Sequence, residues 1–315
     1  MIRTTAIKAG IWGLLCWFVS FIAALQLGAT SDASMEVISQ LRLPRALLAS
    51  AVGMGLSVSG AVLQALFSNP LCEPYTLGIS SGAALGAVLG ISLGLQFAFG
   101  GLVSSAFVGA LVFAFVLYLI ALRPGSSNLT LLLSGVMLGF FGSSLVALWM
   151  ALTDANGIQS AFFWLMGDLS RARLHSSIFS FVGMLILTLL IVKKWRVLDG
   201  LLLGEEAALS LGVDVLKSRK TIILLVSLLI GLSVSSSGMI GFIGLVVPHF
   251  VRQFVGSLHR KVLPVAAIWG AAALTAADTL ARISFKPYEL PVGIVTAIVG
   301  APLFLWVMLK QKGRV

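Results

Sequence analysis

Few residues in this sequence have the types and spacing that enzyme chemistry or metal binding requires. Only three of the 315 residues are histidine, and none lies near an acid at the spacing of a catalytic motif. Cys16 and Cys72 lie far from each other and from the histidines, so neither a disulfide nor a metal site is predicted. A P-loop needs a Gly-Lys pair to hold phosphates, and the sequence has none. We therefore predict no catalytic residue, metal or bound cofactor on this chain.

Three arginines and one aspartate near the ends of apolar segments are the best candidates for a specific electrostatic role. Arg42 and Arg45 flank Pro44, and Arg282 follows Asp278 by four residues. On a helix this spacing places Asp278 and Arg282 on one face. Because an unpaired acid beside a membrane segment is costly, we interpret these two residues as a structural ion pair in preference to a proton relay. The arginines alone also fit interfacial anchors with their stems along the lipid.

The polar segment 204–214 has the most specific pattern in the sequence, Gly-Glu-Glu-Ala-Ala-Leu-Ser-Leu-Gly-Val-Asp. It predicts a short helix, a break at Gly212 and a second helix that begins near Asp214. Apolar side chains stand beside two acids, which suits an amphipathic knob that docks into a groove of a partner. A solvated surface loop is the alternative. The residues assigned to the contact are Gly204, Glu205, Glu206, Ala207, Ala208, Leu209, Leu211, Gly212 and Asp214.

The elements that carry these residues are predicted to be membrane helices. Hydrophobic residues make up 59% of the sequence, charged residues only 10%, and the mean hydropathy is +1.07. A soluble domain has roughly a quarter of its residues charged. Apolar stretches long enough to cross the bilayer recur along the chain, at about 9–28, 46–67, 76–95, 101–122, 129–151, 175–192, 220–237, 240–256, 262–281 and 291–310. We expect a single all-α domain, residues 1–315, with about ten transmembrane helices.

The net charge of +10 is explained by membrane topology rather than by nucleic-acid binding. With a cytoplasmic N-terminus, only six of the 21 Lys and Arg residues fall outside, and the remaining fifteen fall on the cytoplasmic side. This asymmetry follows the positive-inside rule. It predicts a multi-pass protein of the bacterial inner membrane with both termini in the cytoplasm.

One short sequence occurs twice. Gly55-Leu-Ser-Val-Ser59 in the second predicted helix is repeated as Gly231-Leu-Ser-Val-Ser235 in the seventh. The copies are five helices apart in chain order, so the two run in opposite directions. Such a pattern is typical of inverted repeats in transporters. Small and apolar residues also match easily by chance in a sequence of this composition.

A series of motifs resembles the permeases of the iron-siderophore, haem and vitamin B12 importer family. The resemblance begins with Leu41-Arg-Leu-Pro-Arg45 and covers nearly all of the chain from there, in the order of the family. The further motifs are Gly60-Ala-Val-Leu-Gln64, Asn69-Pro-Leu71, the Glu-Ala-Ala segment, Gly241-Phe-Ile-Gly-Leu-Val-Val-Pro-His249, Asp278 with Arg282, Glu289-Leu-Pro-Val-Gly293 and Gly300-Ala-Pro302.

The resemblance implies a type II ABC importer permease with ten helices per subunit. Two permeases, expected to be identical copies, would pair around a central pathway. Two ATPase subunits carrying ATP and Mg would dock on the cytoplasmic side at the 204–214 segment. A periplasmic substrate-binding protein would dock outside, with its carboxylates on Arg42, Arg45 and Arg282. The planar guanidinium fork suits bidentate contact with a carboxylate.

A turn between two predicted helices is a candidate for a gate. Ser126, Ser127 and Asn128 lie where the resembling permeases narrow the pathway on the cytoplasmic side. A Pro-Gly-Ser-Ser-Asn turn also needs no function to explain it. The predicted mechanism is ATP-driven alternating access without chemistry on the cargo.

Two other function classes fit the sequence less well. A secondary ion-coupled transporter usually carries acids or cations within its spans, and these are nearly absent here apart from Asp278. A membrane enzyme needs a catalytic cluster. The sequence leaves open whether the cargo is a ferric siderophore, haem or a corrinoid, and whether the two permeases are identical.

Overall fold

The computed structural model describes residues 2–29, 34–95, 98, 100–123, 127–210, 212 and 214–312, and the regular elements among them are helices. In chain order they are α1 (Ile2–Gln26), α2 (Met35–Val37), α3 (Leu43–Leu66), α4 (Ile79–Ser92), α5 (Gly101–Ala121), α6 (Asn128–Leu152), α7 (Ala155–Leu165), α8 (Leu174–Val192), α9 (Trp195–Leu202), α10 (Glu205–Ser210), α11 (Val215–Ser237), α12 (Ile243–Val255), α13 (His259–Ile283) and α14 (Val292–Lys312).

Ten of these helices are apolar elements of membrane type. Seven are long and apolar enough to cross a bilayer, namely α1, α3, α5, α6, α8, α11 and α13, and three shorter apolar helices are α4, α12 and α14. Lipid offers no hydrogen bonds to the backbone, so a spanning segment satisfies its own amides by forming a helix. Each predicted apolar segment coincides with one of the ten helices, which confirms the predicted all-α polytopic fold.

Helix α3 lies at the centre of the bundle. A π-helical turn over Ile38–Arg42 joins it to α2, and nearly the whole helix is buried by α8, α11, α12 and α13. Its neighbours approach closely at glycines: a Cβ on Gly53 would collide with the carbonyl oxygen of Gly270, and one on Gly60 with that of Gly244. Small residues allow this approach between membrane helices.

The short helix α12 follows an irregular segment, and α4 follows a 3₁₀ turn over Pro74–Leu77. Before α12 the chain turns through Phe242, which has a φ of 68°, and a Cβ on Gly300 would lie 2.5 Å from the Phe242 Cβ. Pro74 precedes α4 and packs on Gly244. Irregular backbone between membrane helices is tolerated where it is packed against protein.

The two copies of the repeated pentapeptide lie in the middle of α3 and in the last two turns of α11. They contact each other, since a Cβ on Gly55 would lie 2.6 Å from Ser233 Oγ. The inverted repeat itself stays a prediction.

Candidate functional site

The 204–214 segment forms the predicted helix, break and second helix. Gly204 and Gly212 have φ angles of 98° and 78°, a left-handed conformation that glycine adopts without strain. They bracket α10, and Asp214 caps α11 by accepting a hydrogen bond from the Lys217 amide at 2.9 Å. The predicted local structure is therefore confirmed. Leu211 lies outside the described residues.

Within α10 the apolar side chains point in two directions. Ala208 is completely buried, whereas Leu209 is 59% exposed. Leu202, the last residue of α9, and Leu203, which follows it, are exposed as well. A patch of leucines on a polar loop provides an apolar surface for a partner.

Helix α9 was not predicted from the sequence. Its face with Leu198 and Leu201 is buried, and it packs on α3, α10 and α13. The helix has only eight residues, and Asp199 lies between its leucines. Its apolar pattern is therefore too short to predict a helix from the sequence. Helix α9 thus supports α10, which packs directly against it.

At the other end of the bundle the structure brings Arg45 together with two acids. Its Nε donates to both carboxylate oxygens of Asp278, at 2.9 and 3.1 Å, and its Nη1 donates to Glu289 Oε2 at 2.5 Å. Arg282 Nε lies 3.2 Å from Asp278 Oδ2, so the predicted pair of Asp278 and Arg282 is confirmed. Glu289 was not predicted to take part, because no local spacing connects it to Arg45.

Arg42 and Arg282 both donate hydrogen bonds to the last turn of α1. Arg42 Nη1 donates to the carbonyl oxygens of Leu25 and Gln26 at 3.1 and 2.6 Å, and Arg282 Nη1 donates to that of Ala24 at 3.2 Å. These carbonyls have no partner within the helix, and the negative end of the helix dipole favours cations there.

All three arginines are buried within the chain. Arg42 is 4% exposed, Arg45 8% and Arg282 2%. In this structure their guanidinium groups therefore serve internal contacts. A role in docking a binding protein stays a prediction, and it requires an arginine to exchange an internal partner for an external one.

The predicted gate residues lie at the start of α6. Ser127 caps this helix: its Oγ accepts a hydrogen bond from the Thr130 amide at 3.1 Å. Asn128 is the first helical residue, and Ser126 lies outside the described residues. The capping bond gives Ser127 a structural function, and the structure leaves the gating role as a prediction.

A groove begins at Thr130, two residues beyond Asn128. Its volume is about 540 Å³, and its lining is mostly apolar, with Thr130 and Ser134 as the polar residues among Met137, Phe141 and other apolar side chains of α5 and α6. Such a surface offers few specific contacts to a polar cargo. Among the described residues no group of three or more His, Cys, Asp or Glu side chains is placed to bind a metal ion.

Comparison with known proteins gives matches along nearly the whole chain. Residues 9–310 match the FecCD transport family. The hemin transport system permease protein HmuU of Yersinia pestis is 40% identical over 291 residues, which cover 90% of this chain and 86% of that protein. The vitamin B12 import system permease protein BtuC of Vibrio cholerae is 36% identical over 318 residues, which cover 98% and 94%.

The fold is also similar to that of a solved structure. This is a transporter described as of the metal-chelate ABC type, in an inward-facing conformation. It is 34% identical, with a TM-score of 0.88, and the alignment covers 96% of this chain and 99% of the other.

Proposed function

The chain belongs to the FecCD transport family and is the membrane permease of an ABC importer, and on that premise we propose that its cargo is a metal chelate. The classes we propose are haem, ferric siderophores and corrinoids. The observation that carries this proposal is the near full-length similarity to permeases named for hemin and for vitamin B12. Both are bulky metal complexes of a macrocycle.

We propose that ATP binding and hydrolysis take place on separate ATPase subunits, with α10 as their docking element. The exposed Leu209 beside the buried Ala208 supports this, since α10 presents leucine outward while it is held from behind. Two ATPases and two permease copies would form the core of the assembly, and a periplasmic binding protein would deliver the cargo. MgATP bound to the ATPase subunits would supply the energy for transport.

The orientation that agrees with this assembly has α9 and α10 in the cytoplasm. Lys193, Lys194 and Arg196 beside α9 follow the positive-inside rule. With ten crossings, both termini lie in the cytoplasm and the arginine cluster lies at the outer face of the inner membrane. Cysteine labelling at Lys194 tests this orientation: modification by an impermeant reagent from outside would overturn it.

The transport mechanism we propose is alternating access, in which ATP-driven motion of α10 rearranges the helices of the pathway. The apolar groove along α6 is our candidate for the pathway lining, with Ser126, Ser127 and Asn128 as the cytoplasmic gate. A mostly apolar lining binds a cargo weakly and lets it leave. The binding protein then provides most of the specificity.

Reconstitution tests the proposed function. The permease is purified with the ATPase and binding protein of its neighbouring genes and placed in proteoliposomes. Uptake of hemin, a ferric siderophore and cobalamin is measured with ATP and with a non-hydrolysable analogue. We expect ATP-dependent uptake of one of these chelates. Uptake of another solute driven by an ion gradient without ATP would instead establish a secondary transporter.

A further inference from the structure

Asp199 on α9 makes two hydrogen bonds to the first residue of α13. One carboxylate oxygen, Oδ1, accepts from the His259 backbone amide at 2.8 Å and lies 2.8 Å from Nδ1 of the His259 ring. The imidazole is completely buried, and the carboxylate is largely buried beside it. A single side chain therefore holds both the backbone and the side chain of His259.

This contact replaces a missing helix cap. The N-cap residue of α13, Leu258, has no side chain that accepts a hydrogen bond from the helix. Asp199 supplies the acceptor from a different helix, and a carboxylate is the favoured group at the positive end of the helix dipole. The His259 amide therefore has this acceptor only while α9 stays in place.

The ring contact fits an anchor better than a proton relay. An ionised carboxylate only accepts hydrogen bonds, so Nδ1 of His259 carries the hydrogen. The other ring nitrogen, Nε2, is buried and has no hydrogen-bond partner within the described part of the chain. No onward step for a proton is visible from His259 among these residues.

A second contact joins the same two helices one residue further along. The guanidinium of Arg260 on α13 lies 5.6 Å from the ring centroid of Trp195 on α9, and that of Arg196 lies 5.2 Å from the same ring. Cations at this distance from an indole are attracted by its π face. Two successive residues at the start of α13 are therefore attached to α9.

Helix α13 runs from the α9–α10 region to the cluster of Arg45, Asp278 and Arg282. The helix has 25 residues and at about 1.5 Å per residue spans roughly 37 Å. Its first residue binds α9, the base of the docking element α10. Its last turns carry Asp278 and Arg282, which pair with each other and, through Asp278, with Arg45.

We propose that Asp199 and His259 are positioning residues that couple the ATPase-docking element to α13. When a docked ATPase moves α10, the hydrogen bonds from Asp199 make the start of α13 move with it. This inference rests on the proposed function, because it assumes that α10 receives the ATPase. It adds a defined connection between the docking element and the membrane bundle.

The test compares Asp199→Ala with Asp199→Asn in the complete transporter. Alanine removes the acceptor, whereas asparagine keeps an oxygen that accepts from His259. We measure ATPase binding, ATP hydrolysis and cargo uptake in the same proteoliposomes, together with the thermal stability of each complex. For Asp199→Ala we expect hydrolysis to continue and the cargo carried per ATP to fall by at least about fivefold. Asp199→Asn is expected to restore most of that ratio.

The matched control is Asp154→Ala, which removes a similar cap bond of 2.9 Å at the start of α7. It lies at the opposite end of the bundle and is expected to leave the ratio unchanged. An unchanged ratio for Asp199→Ala would overturn the proposal. Equal losses in Asp199→Ala and Asp199→Asn would do so too, since asparagine keeps the acceptor. If the wild-type chain neither binds the ATPase nor couples its hydrolysis to uptake, the proposed function fails instead.

Discussion

Arg45 and Asp278 are 233 residues apart in the sequence, yet Arg45 donates from Nε to both oxygens of the Asp278 carboxylate. The carboxylate is almost completely buried and also lies against Arg282. The pair joins α3 to α13 at the end of the bundle where α1 finishes. The arginines that the sequence presents as docking residues are thus part of the architecture of this end of the bundle.

Neutralising this acid is expected to destabilise the permease. In Asp278→Asn the buried guanidinium groups of Arg45 and Arg282 lose their shared anion. Breaking a buried ion pair by removing one partner typically costs about 3–5 kcal/mol. Thermal unfolding in detergent measures the loss. The control is Asp168→Asn, whose partner Arg171 is half exposed at 3.7 Å, and for which a loss of about 1 kcal/mol or less is expected. Equal stability of the two variants would contradict the structural role of Asp278.

The docking role predicted for Arg42, Arg45 and Arg282 is tested through Glu289, because reversing buried arginines would disturb the fold itself. Glu289 occupies Nη1 of Arg45 and is partly exposed. If a carboxylate of the binding protein takes its place, Glu289→Gln weakens the internal competitor. The affinity for the binding protein is then expected to rise by up to about fivefold, or roughly 1 kcal/mol.

The measurement is binding of purified binding protein at two salt concentrations, since a charge contact at the surface weakens as salt rises. Lys286→Gln changes a charge in the same loop between α13 and α14 and serves as control. An unchanged affinity for Glu289→Gln at low salt would leave Arg45 with its internal role alone.

A carboxylate at the exposed position of α10 is expected to prevent ATPase docking. Leu209→Asp places a charge where we propose an apolar interface, and burying an unpaired polar group costs at least a few kcal/mol. We expect the affinity for the ATPase to fall by at least about thirtyfold, with normal insertion and folding of the permease. Co-purification of the two subunits from membranes measures this. The control is Leu209→Met, which keeps an apolar side chain. If the Leu209→Asp permease assembled normally with the ATPase, α10 would not be part of the interface.

A methyl group at the closest helix contact is expected to separate α3 from α12. In Gly60→Ala the new Cβ meets the carbonyl carbon and oxygen of Gly244, which are backbone atoms and cannot rotate away. Overpacking of this kind typically costs about 1–3 kcal/mol. The control is Gly10→Ala in α1, where the added Cβ meets nothing within 4 Å. Thermal unfolding of both variants in the same detergent checks the prediction, and equal midpoints would contradict the contact.

The thiol of Cys72, between α3 and α4, is expected to react only at high pH. Burial raises the pKa of this thiol to about 11, and the neutral form is the one that burial favours. The thiolate is the reactive form. At pH values below that pKa, the thiolate fraction increases about tenfold for each unit by which the pH rises. The rate of maleimide modification in a Cys16→Ser variant is expected to follow this increase. The control is Leu71→Cys without the native cysteines, since Leu71 is half exposed. Equal rates at neutral pH would contradict the burial of Cys72.

The sequence by itself determined the ten helices, their order and the local structure of the 204–214 segment. A segment that spans lipid must form its backbone hydrogen bonds within its own helix. The apolar runs therefore predict the spans directly. Glycines and a capping aspartate predict the ends of α10 and α11 from neighbouring residues alone. The pair of Asp278 and Arg282 was also predictable, because four residues separate them on one helix.

Only the tertiary structure decided which residues meet across the bundle. The contact of Arg45 with Asp278 and the cap that Asp199 supplies to His259 join helices that are distant in the sequence. Arg42 bonds to two residues at the end of α1 that lie 17 and 16 residues before it in the sequence. No spacing rule connects such residues, since their proximity depends on how the helices cross. The crossings are set by close contacts at glycines such as Gly60 and Gly244. Both glycines lie in motifs of the sequence, but their contact with each other is visible only in the structure, where two backbones touch.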